Sequence, residues 1–203
     1  HLGRPRGVRG RPGGGADDPG VPADELYAEW QDTRSSFVAR TAAMGTSATF
    51  RATAERSLAY TLDRRGVTLP PAEREAVIDA YARLEPYDGV DGTLAALAES
   101  FELAVLSNGD AGLLREIVAN AGIDRHFDRV ISAGDSGVFK PAPASYEHAG
   151  DTLDRPLGTC WLVSAHPWDA RGGAQAGMLA AWVNRDGLPD PRIGRRPTVT
   201  VDA

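Results

Sequence analysis

Lysine is nearly absent from this sequence: Lys140 is the only one among 22 basic residues, and the other 21 are arginines. Cysteine is just as scarce, because Cys160 stands alone and cannot form an internal disulfide bond. No apolar run approaches the roughly 20 residues that cross a membrane. We therefore expect a globular cytoplasmic protein that neither spans nor binds a membrane.

The charge is distributed unevenly along the chain. Residues 1–15 carry four arginines and no acid, and the remainder holds 28 acidic against 18 basic residues. Such an acidic body repels nucleic acid. Residues 1–20 are rich in Gly, Pro and Arg, and we expect this segment to be disordered. A basic nucleic-acid-binding arm and a frame-shifted or truncated start are the alternatives.

Residues 21–86 have the periodicity of three successive amphipathic helices. The first is expected to end near Gly45. The second is expected to run from a cap at Ser47 to about Arg65, and the third to open at Pro70. Helices in direct succession predict a separate helical lobe, residues 21–86.

From residue 87 onward, short apolar runs alternate with helical patterns. A helix capped at Asp91 is expected first. Strands are expected at 101–106, 129–132, 159–164 and 179–184, with helices at about 111–121, 143–152 and 167–177 and an edge strand at 197–201. Strands joined through helices run parallel, so residues 87–203 are predicted to form an α/β core. Cys160 falls in the third strand, where we expect it to be buried.

Polar side chains follow three of these strands. Ser107 and Asn108 follow the first, Lys140 follows the second, and Asp169 comes shortly after the third. The carboxyl ends of parallel strands meet at one edge of a sheet, and a hydroxyl, an amide, an ammonium and a carboxylate there suit a small anionic substrate. Each residue taken alone also fits a turn or a helix start.

The motifs L-S-N-G-D at 106–110, F-K-P-A-P at 139–143 and V-S-A-H-P-W-D at 163–169 resemble the haloacid dehalogenase superfamily. The closest resemblance is to its type II 2-haloacid dehalogenases, and it spans about residues 23–184. It implies a Rossmannoid parallel sheet with an inserted helical cap, which corresponds to the helical lobe. The implied activity is hydrolytic dehalogenation of small 2-haloacids through an aspartyl ester, without a metal or other cofactor.

The resemblance also implies residue roles. The catalytic set would be Lys140, Ser107, Ser164 and Asp169. Lys140 would pair with the nucleophilic carboxylate, and Ser107 would hold that carboxylate. Ser164 and Asp169 would place Lys140 and the hydrolytic water. A positive ammonium stabilises an ionised nucleophile, and a second carboxylate keeps the ammonium charged. The implied substrate-binding residues are Asn108, Tyr146, Trp30, Gln31, Arg34 and His166.

Three features depart from the family pattern. The opening strand that ends in D-x-x-G-T, which bears the nucleophile, has no counterpart, because neither Asp17 nor Asp91 follows an apolar run. We therefore expect a gap between the strands that end at Ser107 and Ser164, and impaired or absent activity. Gln31 stands where the family has a halide-binding arginine, for which Arg34 is a substitute one turn later. In the third departure, His166 replaces a family asparagine.

Two other functions are open. A magnesium-dependent phosphatase of the same superfamily needs two acids four residues apart after the third strand, but Ala165 and Asp169 stand there. A non-catalytic binding protein would retain only the anion pocket. In all three cases the partner is a small anion, and the apolar stripe of the helical lobe is compatible with a homodimer.

Overall fold

The computed structural model describes residues 21–44, 46 and 48–202. The helical lobe contains α1 (Ala23–Ala43), α2 (Phe50–Arg65) and α3 (Pro71–Asp79), and the chain then makes a 3₁₀ turn, Ala80–Arg83. The longest of these, α1, has 21 residues and carries charged side chains at both ends. Within the described ranges, no helix combines the length and apolar character needed to cross a membrane.

Helix α2 has a well-defined cap at each end. The Thr49 hydroxyl accepts a hydrogen bond from the Ala52 N–H, so Thr49 is the N-cap. The predicted cap, Ser47, lies outside the described residues. Gly66 ends the helix with a φ of 65°, a left-handed conformation that favours glycine.

The helices of the lobe share one hydrophobic core. Its buried members are Trp30, Ala54, Leu58, Leu62 and Ile78. The Trp30 indole N–H donates to the Ala54 carbonyl at 3.2 Å and to the Ser57 hydroxyl at 3.0 Å. These bonds satisfy the polar edge of a side chain that is only 2% exposed, and they join α1 to α2.

Strands and helices alternate after the lobe. The helices are α4 (Val90–Ala98), α5 (Ala111–Asn120), α6 (Pro143–Leu153) and α7 (Pro167–Ala176). The strands are β1 (Ala104–Ser107), β2 (Arg129–Ser132), β3 (Trp161–Ser164), β4 (Leu179–Asn184) and β5 (Val199–Asp202). Every strand pair is parallel, which confirms the predicted α/β class.

Three local predictions were wrong. Asp91 does not cap α4, because Gly89 precedes the helix with a φ of 80° and Asp91 lies in its first turn. Strand β1 begins at Ala104, since the Phe101 N–H bonds the Leu97 carbonyl in a turn that leaves Phe101 58% exposed. Cys160 precedes β3, where it closes a 3₁₀ turn and is only half-buried.

The described strands form two separate sheets. One has the order β1-β2, and the other has the order β3-β4-β5, with β5 at the edge as predicted. Among the described residues no ladder joins β1 to β3, as expected for the strands that end at Ser107 and Ser164. On β3, Trp161 and Val163 are 48% and 64% exposed. That a nucleophile-bearing strand is missing stays a prediction.

Candidate active site at the carboxyl ends of the strands

Lys140 lies in the loop between β2 and α6, and its ammonium links strand β1 to helix α7. Its Nζ donates to the Leu106 carbonyl of β1 at 2.9 Å and to Asp169 Oδ2 in α7 at 2.8 Å. The side chains of Lys140 and Asp169 are only 8% and 6% exposed. A buried ammonium requires a charged partner, and Asp169 supplies it.

Tyr146, in α6, completes this network from the other side of the carboxylate. Its hydroxyl donates to Asp169 Oδ1 at 2.8 Å, and the residue has no exposed surface. Burial raises the pKa of Tyr146 far above its ordinary value, and the negative charge of Asp169 and the hydrogen bond raise it further. The hydroxyl therefore stays a donor, and both oxygens of Asp169 have partners.

Gly172 allows this packing, and the sequence analysis missed it. A Cβ at this position would lie 2.5 Å from the Tyr146 hydroxyl oxygen and 2.9 Å from Pro141 Cβ. Such contacts are too short for any side chain. The sequence did contain a signal of close packing, namely the two glycines in the middle of α7, Gly172 and Gly173. Glycine weakens a helix, so its presence inside one indicates a position where a side chain does not fit.

Asn108 binds the main chain of Lys140. Its Oδ1 accepts from the Lys140 N–H at 2.7 Å, and its Nδ2 donates to the Lys140 carbonyl at 3.2 Å. Asn108 therefore fixes the loop that carries the ammonium, in addition to the substrate contact that the resemblance implies.

The two serines at the strand ends bond to their own loops. Ser107 Oγ accepts from the Gly109 N–H at 3.3 Å, and Ser164 Oγ accepts from the His166 N–H at 3.2 Å. Among the described residues, neither hydroxyl forms a hydrogen bond with Lys140. Lys140 is thus held by Asp169 directly. Ser107 ends β1 and Ser164 ends β3, but neither side chain contacts the ammonium through a hydrogen bond.

His166 precedes α7, and its ring stacks on Trp168 with centroids 5.4 Å apart. Surrounding protein atoms that displace water lower the pKa of His166. The Asp169 carboxylate opposes this effect, and the positive charges of Lys140 and Arg34 lower the pKa further. The positive charges of Lys140 and Arg34 therefore both act on the His166 ring.

Gln31 and Arg34 of α1 meet at one tyrosine of the helical lobe. Gln31 Nε2 donates to the Tyr81 hydroxyl at 2.7 Å, and Arg34 Nη1 donates to the same oxygen. The Arg34 guanidinium carbon lies 5.2 Å from the Phe50 ring centroid and 5.0 Å from that of Tyr81. Tyr81 and Phe50 were not selected from the sequence, because apolar spacing alone marks them as core residues.

Trp30 lies close to Gln31 and Arg34 in sequence, but it belongs to the lobe's core. Its ring contacts Tyr27 and Tyr81 edge-on, at centroid distances of 6.0 and 5.7 Å. Since its side chain is buried, its connection to the site runs through Tyr81.

Comparison with known proteins identifies the family. The haloacid dehalogenase-like hydrolase family matches residues 13–177. The chain belongs to this family. The match confirms the resemblance drawn from the three strand-end motifs, and it includes both Lys140 and Asp169.

Individual members of the haloacid dehalogenase-like hydrolases agree with this assignment. The chain is 32% identical to (S)-2-haloacid dehalogenase 2 of Pseudomonas sp. (strain CBS-3) over 174 residues, which is 85% of this chain and 76% of that protein. It is 28% identical to haloacetate dehalogenase H-2 of Moraxella sp. (strain B), over 85% of this chain and 77% of that protein.

A solved structure gives the same result. The L-2-haloacid dehalogenase from Xanthobacter autotrophicus with chloropropionic acid covalently bound superposes with a TM-score of 0.83 at 29% identity, covering 90% of this chain and 83% of that one. The fold of this haloacid dehalogenase-like hydrolase is thereby confirmed over most of its length.

Proposed function

We propose that this haloacid dehalogenase-like hydrolase acts on small 2-haloacids and replaces the halogen at C2 with a hydroxyl group. The observation that carries the proposal is the buried Lys140–Asp169–Tyr146 network at the strand ends. An ammonium held there by a fully bonded carboxylate suits the stabilisation of a second carboxylate, the nucleophile of an ester mechanism. The relatives named as 2-haloacid dehalogenases support the same substrate class.

In this mechanism a carboxylate oxygen forms a bond to C2 of the substrate, and the halide leaves with the electron pair of the broken bond. Water then attacks the ester carbonyl, the 2-hydroxyacid is released, and the carboxylate is regenerated with the loss of one proton. Ser107 would hold the attacking carboxylate, and Ser164 with Asp169 would place the water.

Asp169 is not a good candidate for the attacking group, because its two oxygens are already bonded to Lys140 and Tyr146. Among the described residues it is also the one acid paired with Lys140. We therefore propose that Asp169 positions Lys140, and that these 203 residues turn over a haloacid slowly or not at all.

The substrate carboxylate and the departing halide both require positive charge. Arg34 replaces the family arginine absent at Gln31, and its position supports this role, since both residues bond Tyr81 and Arg34 influences the charge of His166. We propose that Arg34 and Gln31 bind the anion, with Asn108 and His166 contacting the substrate from the strand ends. Trp30 and Tyr146 would shape the site from buried positions.

The pairing of Asp169 with Lys140 also favours metal-free chemistry over a magnesium-dependent phosphatase. A carboxylate that already pairs with an ammonium is a poor ligand for Mg²⁺, and Ala165 offers no oxygen from its side chain.

We also propose that the helical lobe acts as a cap over the strand ends and that the protein works in the cytoplasm. We retain the homodimer as a proposal; the lobe exposes Met44 (69%) and Tyr60 (47%), but single exposed apolar side chains are also normal on monomers. Sedimentation equilibrium would detect a species of twice the 21.5 kDa chain mass, and a monomer at every concentration would contradict the dimer.

The function is tested by measuring halide release from each enantiomer of 2-chloropropionate and phosphate release from p-nitrophenyl phosphate, with and without Mg²⁺. Binding of 2-chloropropionate is measured in parallel by calorimetry. We expect binding with slow or undetectable halide release, and loss of binding in Lys140→Met. Arg155→Met is the matched control, because Arg155 pairs with Glu102 at an exposed site.

Each other outcome has a clear meaning. Magnesium-dependent phosphate release would replace this proposal with the phosphatase. Absence of both binding and turnover in the wild-type chain would contradict an anion site at Lys140.

A further inference from the structure

Asp110 joins the strand end of β1 to the helical lobe. Its carboxylate accepts two main-chain hydrogen bonds from the start of α2, from Phe50 N–H to Oδ1 and from Arg51 N–H to Oδ2, each 3.0 Å long. Phe50 and Arg51 lie 60 and 59 positions before Asp110 in sequence. One carboxylate thus uses both oxygens on a single helix of the other part of the chain.

The position of Asp110 makes this contact notable. Asp110 is the N-cap residue of α5, where an aspartate normally caps its own helix, but it makes no side-chain cap bond there. Helix α2 has no acid in its own first turn. The carboxylate of Asp110 therefore supplies the negative charge that the start of α2 lacks.

The first N–H groups of α2 now all have partners. Phe50 and Arg51 donate to Asp110, Ala52 donates to the Thr49 hydroxyl, and Thr53 donates to the Thr49 carbonyl. Free N–H groups at a helix start require acceptors from elsewhere. Without Asp110, two of these donors would have only water.

Both ends of this link lead to residues of the proposed site. Asp110 follows Asn108 by two residues, and Asn108 binds the main chain of Lys140. At the other end, the Phe50 ring lies under the Arg34 guanidinium and 5.6 Å from the Tyr81 ring. A further side-chain hydrogen bond between lobe and core, from Asn120 Nδ2 to the Ala82 carbonyl at 2.7 Å, lies where the chain leaves the lobe.

We infer that Asp110 is a positioning residue that fixes the start of α2, and with it Phe50 and Arg34, against the strand end that carries Asn108 and Lys140. It does so by accepting two charge-assisted hydrogen bonds from a helix end that has no acid of its own. The inference extends the proposed function, but its first test does not depend on it.

The first test is amide hydrogen exchange of the full chain, followed by NMR. In Asp110→Ala, the amides of Phe50 and Arg51 should exchange about tenfold faster or more, because each loses a charged acceptor. In Asp110→Asn, whose side chain retains one acceptor oxygen, the increase should be smaller. Unchanged amides in β2 show that the core remains folded, and if the alanine variant unfolds, the asparagine variant decides.

Asp128→Asn is the matched control. Asp128 also accepts a main-chain N–H, from Leu103 at 2.9 Å, but both residues belong to the core. Its exchange effect should appear at Leu103 and not in α2. Equal protection of Phe50 and Arg51 in wild type and in Asp110→Ala would overturn the inference.

The second test separates positioning of the site from local helix stability. If Asp110 positions Arg34, the affinity for 2-chloropropionate should fall by about fivefold or more in Asp110→Ala and stay unchanged in Asp128→Asn. Faster exchange with unchanged affinity would leave a stability role and reject the positioning role. If the wild type does not bind 2-chloropropionate, the proposed function fails, and the exchange experiment still decides whether Asp110 holds α2.

Discussion

Asn108 binds the main chain of Lys140 at both its N–H and its carbonyl, while the ammonium of the same lysine bonds Asp169. The position of the charge is therefore set from two directions. One is the Asn108 side chain, directly after β1, and the other is Asp169 in the first turn of α7. The following predictions test these contacts separately.

Asn108→Ala should lower the free energy of unfolding by about 1–3 kcal/mol, because the Lys140 N–H would lose its acceptor in a part-buried site. Urea titration measures this change. Asn184→Ala is the control, since Asn184 makes the same pair of bonds to Leu188 at an exposed site, where water can replace them. Equal losses in the two variants would mean that the site around Lys140 is as open to water as the surface loop.

Lys140→Met should cost about 3–5 kcal/mol of unfolding free energy, because it leaves the buried Asp169 carboxylate without its cation. The double variant Lys140→Met with Asp169→Leu should be more stable than the sum of the two single losses predicts, as expected for directly interacting charges. Urea titration of the four proteins completes the cycle. Additive losses would show that the two charges do not interact in solution.

Gly172→Ala should destabilise the protein by about 1–3 kcal/mol, because the added methyl group meets the Tyr146 hydroxyl and Pro141. Gly112→Ala in α5 should instead stabilise it by roughly 0.5–1 kcal/mol, since an added Cβ meets nothing within 4 Å beyond its chain neighbours and its own helix backbone, and alanine favours a helix. Thermal unfolding distinguishes the two signs. A stabilising Gly172→Ala would contradict the close packing of α7 on Tyr146.

Tyr146 should make the protein sensitive to alkali. Its pKa is raised in the folded state, mainly by burial and then by Asp169, so the folded chain retains a proton that the unfolded chain loses above about pH 10. The contribution of Tyr146 to stability is therefore fully present below pH 10 and falls above it, by up to about 1.4 kcal/mol per pH unit. Urea titrations between pH 8 and 11 measure this slope.

Tyr146→Phe should be less stable than the wild type at pH 8, because Asp169 loses a hydrogen bond, yet lose less stability between pH 10 and 11. Tyr81, whose pKa is also raised by burial, retains its own contribution. Tyr60→Phe, which removes a hydroxyl from an exposed side chain, should keep the wild-type slope. Parallel slopes in the wild type and Tyr146→Phe would refute the proposed cause.

Much of the fold could be predicted from local pattern. The bounds of β2 and β4 agree with the sequence prediction, because β-branched and apolar residues there lie between clear breaks. Prediction failed where a turn replaced the expected element. Phe101 looked like a strand residue, but the turn that ends α4 exposes it, and no periodicity within six residues reveals such a turn.

The candidate site could also be predicted only in part from the sequence. Lys140 and Asp169 could be selected because their side chains are unusual after strands. The contacts of Leu106 and Lys140 through main-chain atoms could not, since every residue carries those atoms. Asp110 ends the L-S-N-G-D motif directly before α5, and only the tertiary fold shows that its carboxylate binds a helix 60 residues earlier.

The single lysine makes the centre of the site observable by itself. Protein produced with ¹⁵N-labelled lysine side chains would contain one labelled ammonium, so its NMR signal needs no assignment. Because that ammonium is buried against Asp169 and the Leu106 carbonyl, its protons should exchange slowly with water. An added haloacid or halide could then be followed at the atom that the proposed chemistry depends on, in a chain that provides no other signal of that kind.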